Sequence, residues 1–128
     1  MLARGYKTFY QESEPDEAYE QTWRRLTAGT ELFGLGVRLD GRLVGIAHYF
    51  FHPAVWSGEA CYLQDLFTDE AARGRGAARA LIEAVAAAAR ERGADRFYWH
   101  TQESNARARV LYDKVARFTG FIRYSYPL

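Results

Sequence analysis

The 128-residue chain reads as one mixed α/β domain. A strong hairpin signal, Asp40-Gly41, stands between two apolar runs. Two helical stripes in the second half each follow an apolar strand. Hydrophobic residues make up 48% and charged residues 26%, which is a globular balance rather than a disordered one. The expected order is α-α-β-β-β-α-β-α-β, with no internal repeat, low-complexity tract or linker.

Leu2 to Tyr10 reads as a helical fragment, with Leu2, Tyr6, Phe9 and Tyr10 near one face. Ser13-Glu14-Pro15-Asp16 opens a second helix: a capping Ser, an early Pro, and acids near the positive end. That helix runs through Ala18, Tyr19, Thr22, Trp23 and Leu26 and stops at Ala28-Gly29. Leu35 to Leu39 and Leu43 to Phe51 are the hairpin strands, and His52-Pro53 ends the second. Ala60 to Thr68 is the central strand, apolar enough to be buried on both faces. Gln64 and Asp65 are its polar exceptions and need partners. Strict alternation places them on opposite faces. From Gly76 to Arg92 a helix carries the stripe Ala78, Leu81, Ile82, Val85, Ala88 and Ala89, with Gly93 as its stop. Asp95 to Thr101 is a strand. Asn105 to Ala116 is a helix with Ala108, Leu111, Tyr112 and Val115 on one face. Phe121 to Tyr126 is a last strand, closed by Pro127.

The net charge of +1 gives no electrostatic footprint for nucleic acid or an anionic membrane. No apolar run approaches the roughly 20 residues of a membrane span. The start, Met1-Leu2-Ala3-Arg4-Gly5, lacks the apolar core of a signal peptide. The lone Cys61 excludes an internal disulfide and reads as a buried, inert thiol. A cytoplasmic protein is the expectation. No residue set is assigned to a metal.

The stretch Arg73-Gly74-Arg75-Gly76-Ala77-Ala78 joins the central strand to a long alanine-rich helix. Glycine lets backbone approach a ligand closely, and a helix start offers free N–H groups and the positive end of the dipole. Together they make an anion site, most naturally for phosphate. A dinucleotide fingerprint would want a glycine or alanine where this chain has Arg79, and a βαβ unit rather than a preceding hairpin. A nucleotide P-loop fails, because no Gly-Lys-Ser/Thr follows. The bland alternative is a plain loop with solvated arginines.

A second motif decides between them. Asn105-Ala106-Arg107-Ala108-Arg109-Val110-Leu111-Tyr112 opens a helix directly after a strand. With the first motif at this spacing, the chain resembles the GNAT superfamily of N-acetyltransferases. The superfamily pattern Arg/Gln-x-x-Gly-x-Gly/Ala is matched by Arg73 to Ala78. Its Asn, Ala and Leu/Phe-Tyr pattern is matched by Asn105, Ala108, Leu111 and Tyr112. Tyr62-Leu63-Gln64-Asp65-Leu66-Phe67 looks like the central strand, and the stretch from Tyr98 to Asn105 like small histone/polyamine-type members. The resemblance covers residues 31–128.

The resemblance implies a mostly antiparallel, twisted sheet flanked by helices, and acetyl-CoA as donor. The backbone of Arg73, Gly74, Arg75, Gly76, Ala77 and Ala78 would hold the pyrophosphate, with charge from the Arg73, Arg75 and Arg79 side chains. Main-chain groups of Leu66, Phe67 and Thr68 would pair with the pantetheine arm. The Leu66 N–H would face the oxyanion, and Tyr112 would donate to the leaving thiolate. Asn105 would belong to the cofactor site.

The amine must lose a proton. Related polyamine acetyltransferases carry Glu-Asp on this strand; this chain has Gln64-Asp65, and Gln64 takes no proton. The candidate bases are Asp65, His48, His52, His100, Glu103 or a water relay. His48, Tyr49, Tyr62 and Gln64 are the expected amine-pocket residues, with Trp56 a further candidate and core packing the alternative for the aromatics. By family architecture the first strand and the start of the first helix are missing. Leu35 to Leu39 would then be an exposed edge, open to a second chain, and a homodimer with an exchanged C-terminal strand is expected. The expected activity is acetyl transfer to a small or protein amine. A non-catalytic acyl-CoA-binding module is the alternative, and a dinucleotide oxidoreductase a remote one.

Overall fold

Asp40 and Gly41 both adopt positive φ, 56° and 80°, which is the two-residue hairpin turn their sequence demands. The computed structural model describes residues 6–8, 19–26, 32–72, 74 and 76–128. Around that turn the described residues form a six-stranded sheet whose spatial order follows the chain. Its strands are β1 (Tyr6–Thr8), β2 (Tyr19–Leu26), β3 (Phe33–Leu39), β4 (Arg42–Pro53), β5 (Glu59–Thr68) and β6 (Arg96–Tyr98). β1 to β5 pair antiparallel, and β6 joins β5 in parallel. Between β5 and β6 runs α1 (Ala77–Arg92), and α2 (Ala106–Val115) follows β6.

The core lies between the sheet and α1. Leu81, Ile82, Val85 and Ala89 form the buried stripe of α1 and meet Leu35, Val37, Ala47, Tyr49, Cys61 and Leu63. Gly93 ends α1 with φ 89°, and its N–H donates to the Arg90 carbonyl at 3.0 Å. Asn105 caps α2: its side-chain oxygen accepts from the Ala108 N–H at 3.4 Å. Trp99, Leu111, Tyr112 and Val115 pack against the edge of the same core.

Four expectations are corrected. Tyr19–Leu26 is a strand, not part of a helix, and Tyr6–Thr8 is a strand inside the expected first helix. The rest of those two helices, including the Ser13 to Asp16 opening, falls outside the described residues. A spacing of four, as between Tyr19 and Trp23, fits a period of 3.6 and a period of 2 alike, so pairing with β3 decides. β2 therefore covers β3 from Tyr19–Leu39 to Arg25–Phe33, and Leu35 to Leu39 is not an edge. The last strand is absent: Phe121 to Tyr126 joins no ladder among the described residues, and its apolar side chains stand exposed.

Candidate functional site

β6 pairs β5 only through Ala60–Arg96, Cys61–Phe97 and Tyr62–Tyr98. β5 runs on to Thr68, held by β4 on its other side as far as Gly45–Thr68. From Leu63 to Thr68 the far edge of β5 thus has no strand beside it among the described residues. Backbone donors and acceptors there are open to a ligand lying as an added strand.

The chain leaves this edge through a 3₁₀ turn at Glu70–Ala72 and two left-handed glycines, Gly74 (φ 82°) and Gly76 (φ 85°). A Cβ built on Gly74 meets no atom of the described residues within 4 Å, so the backbone there faces open space. Gly76 is the N-cap of α1, where no side chain caps the free N–H groups and no acid stands in the first turn. The N–H groups of Ala77 and Ala78 lie in that first turn. This uncapped helix start suits a phosphate. Arg73 and Arg75 fall outside the described residues. Arg79 pairs with Glu83 at 3.1 Å along the helix.

The central strand holds a feature that alternation does not predict. His48 stands opposite Asp65, and Tyr49 opposite Leu63, so Gln64 is an extra residue on β5. This bulge reverses the parity. Cys61 and Leu63 face the core before it, and Leu66 faces the core after it. Gln64 and Asp65 are both exposed. They share the face away from α1, which corrects the expectation of opposite faces. Asp65 Oδ2 lies 2.9 Å from His48 Nδ1.

Tyr62 lies on that same face, tilted against Tyr98 at 4.9 Å and edge-on to Phe50 at 5.5 Å. Its hydroxyl contacts His100 Nδ1 at 3.1 Å. His52 has both ring nitrogens engaged, with the Pro53 carbonyl at 2.9 Å and the Tyr98 hydroxyl at 2.7 Å. Tyr98 was not singled out by its sequence context, where it is one of several strand aromatics; burial pushes its phenol up. Tyr49 is only 2% exposed and stacks on Phe33 at 5.4 Å in the core. It does not share a surface with His48 and Gln64. Trp56 stands exposed on the β4–β5 connection.

Tyr112 projects from α2 onto Trp99, with ring centroids 5.4 Å apart. Burial raises its phenol pKa above the ordinary 10.0, so it stays a proton donor well past neutrality. Its hydroxyl has no hydrogen-bond partner among the described residues. Asn105 spends its side chain on the α2 cap and on Thr101 Oγ1 at 3.1 Å. Cys61 is fully buried, and burial pushes its thiol up to about 12, so it carries no nucleophile. No described helix is long and apolar enough to cross a membrane.

Residues 1–118 match the Acetyltransferase (GNAT) family, a longer stretch than the motifs alone covered. The D-amino-acid N-acetyltransferase HPA3 of Saccharomyces cerevisiae is 35% identical over 127 residues, which span 96% of this chain and 79% of the relative. The thialysine N-epsilon-acetyltransferase of Sus scrofa is 31% identical over 70 residues, 55% of this chain and 41% of that protein. A ribosomal-protein-alanine N-acetyltransferase from Brucella melitensis biovar Abortus 2308 superposes with a TM-score of 0.70 at 27% identity, covering 81% of this chain and 78% of that one. Aminoglycoside N-acetyltransferase AAC(6')-Iy, solved with CoA, shares the fold at a TM-score of 0.71 and 20% identity, over 80% of this chain and 70% of that one. By the family match across most of its length, borne out by sheet and helices alike, this chain belongs to the GNAT acetyltransferase family.

Proposed function

We propose that the chain transfers an acetyl group from acetyl-CoA to a primary amine by direct attack. The observation that carries this is the unpaired edge of β5 leading within a few residues to the uncapped start of α1. An extended arm ending in a pyrophosphate needs those two features in that order. The residues fit the cofactor: no acid opposes its phosphates in the first turn of α1, and Gly74 leaves open space. When bound, acetyl-CoA supplies the acetyl group as a thioester.

The N–H groups of Gly74, Gly76, Ala77 and Ala78 would hold the pyrophosphate, together with Arg73 and Arg75 of the same motif. Leu66, Phe67 and Thr68 align the arm along β5. The Leu66 N–H stabilises the oxygen charge that develops during attack. Tyr112, which burial keeps protonated, would give its proton to the departing sulfur. Gln64, the bulged residue, binds the amine. Asn105 contributes by fixing the start of α2. The acceptor is the amino group of a small molecule, in keeping with the D-amino-acid relative, and the lone reduced thiol suits the cytoplasm.

We also assign a homodimer. The support is the C-terminal segment, which joins no ladder among the described residues and leaves Phe121, Ile122, Tyr124 and Tyr126 all exposed. Light scattering at micromolar concentration reads this directly, and a monomer refutes it.

Titration calorimetry with acetyl-CoA tests the central reading, and a folded sample that binds none overturns it. Tyr112→Phe is expected to lower kcat about 10-fold or more while leaving acetyl-CoA affinity unchanged. Gln64, which takes no proton, favours one second reading: an acyl-CoA-binding module without turnover. Binding with no transfer across D-alanine, spermidine and a lysine peptide would establish it.

A further inference from the structure

Tyr62 is the last β5 residue with a partner on β6, and its hydroxyl reaches past that last pair. Continued by two residues, the register of Tyr62 with Tyr98 would set His100 opposite Gln64, but the ladder has ended there. Gln64 and His100 therefore flank the opening between the strands. Tyr62 spans it, with its hydroxyl 3.1 Å from His100 Nδ1. The Tyr62 ring is fixed by Phe50 at 5.5 Å, Tyr98 at 4.9 Å and His100 at 5.5 Å. A second tyrosine–histidine contact lies beside it, Tyr98 with His52. That one is closed, because the other His52 nitrogen meets the Pro53 carbonyl. His100 is exposed, and its Nε2 has no hydrogen-bond partner among the described residues. A phenol is the better donor and a neutral imidazole nitrogen the better acceptor. Tyr62 thus donates to Nδ1, and the ring proton stands on Nε2. The phenol oxygen keeps a lone pair for one further donor. Gln64, which binds the amine in the proposed function, is two residues on and exposed on the same face, about 7 Å along the strand.

We infer that Tyr62 takes the proton of the attacking amine and passes its own to His100, so that the pair is the proton outlet of the acetyl transfer. This rests on the acetyl-transfer reading above. As the C–N bond forms and the thioester C–S bond breaks, the amine N–H proton moves to the Tyr62 oxygen. In the same step the phenol proton moves to His100 Nδ1, so no phenolate is formed. Tyr112 protonates the departing sulfur. The exposed imidazolium then loses a proton to water, and exchange with solvent restores Tyr112 and the Nε2–H ring. The products are the N-acetyl amine and the free thiol of CoA. Tyr62 is the catalytic residue here, and His100 acts through it. Around the His100 ring, β5 brings Tyr62 and, farther along, Asp65. β6 brings Tyr98, edge-on at 5.9 Å, with Arg96 two residues before it. β4 brings His52 behind Tyr98, and Glu103 follows on the connection to α2. No charged side chain among the described residues is hydrogen-bonded or ion-paired to His100.

The tautomer gives a test that needs no turnover. In histidine-labelled wild-type protein, long-range ¹⁵N–¹H spectra are expected to show the Nε2–H form for neutral His100; the Nδ1–H form overturns the inference whatever the activity. Tyr62→Phe keeps the ring and removes the hydroxyl. It is expected to lower kcat about 100-fold with acetyl-CoA affinity within twofold of wild type. Wild-type kcat in Tyr62→Phe overturns the relay and leaves acetyl transfer standing. His100→Asn keeps an acceptor near the Nδ1 position but takes no proton. It is expected to lower kcat about 10-fold and to remove the acid limb of kcat between about pH 5 and 8, where imidazoles change charge. A merely structural histidine would leave that limb in place, and its persistence overturns the role of His100. Should Tyr62→Phe not fold, the exposed His100 position decides by the same profile. Absence of transfer by the wild-type protein to D-alanine, spermidine or a lysine peptide would instead fell the acetyl-transfer reading, and the relay with it.

Discussion

Gly45 sits where β4 passes beneath α1, and adding a single methyl there tests how tightly the sheet and helix fit. A Cβ on Gly45 would lie 3.0 Å from Val37 Cγ1, 3.1 Å from Leu81 Cδ1 and 3.3 Å from the Phe67 carbonyl oxygen. Ordinary carbon contacts begin near ~3.5 Å. Val37 and Leu81 are both fully buried, and Phe67 is tied into the β4–β5 ladder, so none of the three can give freely. Overpacking of this kind costs about 1–3 kcal/mol. Alanine returns about 0.5–1 kcal/mol by restricting the unfolded backbone. Gly45→Ala is therefore expected to destabilise by a net ~1–2 kcal/mol, read as a fall of about 0.5–1 M in the urea midpoint with the slope unchanged. Protein concentration must be held constant, since self-association would add to apparent stability. The companion variant Leu81→Ala loses about 2–5 kcal/mol through its cavity. In the double variant the new methyl fills part of that space, and the losses fall short of additive by ~1 kcal/mol or more. Strict additivity, or stabilisation by Gly45→Ala alone, would refute the packing reasoning.

At Gly74 the constraint is conformational, since φ is 82° and no atom crowds the Cβ. Gly74→Ala is expected to cost about 1–2 kcal/mol and Gly74→Asn distinctly less, because asparagine tolerates the left-handed region; equal costs by urea unfolding would show that φ is not the cause. Burial holds the Cys61 thiol well above its usual 9.0, at about 12. The folded pKa is raised, so this contribution is complete below pH 9.0 and is lost as pH rises toward about 12. Cys61→Ala should flatten stability against pH across that window, and an identical slope would refute the assignment. The hydrogen-bonded Arg92 guanidinium lowers the Glu59 pKa below 4.5, with contacts of 2.9 and 3.1 Å. A lowered folded pKa contributes stability above the unfolded value and loses it as pH falls through the folded one. Glu59→Gln should thus weaken the protein near neutrality and flatten its acid limb, while an unchanged acid limb would count against the pair.

The hairpin, the central strand and both helices were legible because their signals are local. Asp40-Gly41 can hardly adopt any other turn between apolar runs, and Gly93 closes α1 in the left-handed conformation its type permits. β2 was not legible, because Tyr19 and Trp23 satisfy both periods and only the long-range ladder to β3 separates them. Phe121 to Tyr126 fails for the complementary reason. Its alternation is strand-like, but a strand exists only with a neighbour, and the described chain supplies none. Of the candidate site, the left-handed glycine turn before α1 and the place of Tyr112 on α2 could be read from motif spacing, their roles remaining proposals. Tyr49 could not be told from a pocket residue, because an aromatic on a two-sided strand looks the same whichever face it takes.

The bulge at Gln64 was beyond sequence reading for a sharper reason: no glycine or proline marks it. The one trace it leaves is chemical, in two adjacent polar residues within an apolar strand. Continuous alternation from Cys61 and Leu63 would carry Asp65 into the core against α1, and an unpaired carboxylate there costs far more than a strand irregularity. One extra residue on β5 removes that conflict. It turns Leu66 inward, where it packs on the core, and leaves Asp65 outward within reach of His48. The same shift sets Asp65 opposite His48 and Leu66 opposite Ala47 in the ladder. A polar pair that breaks the period of a buried strand is thus best read as a change of register, and the side chains opposite the break are the ones to examine for chemistry.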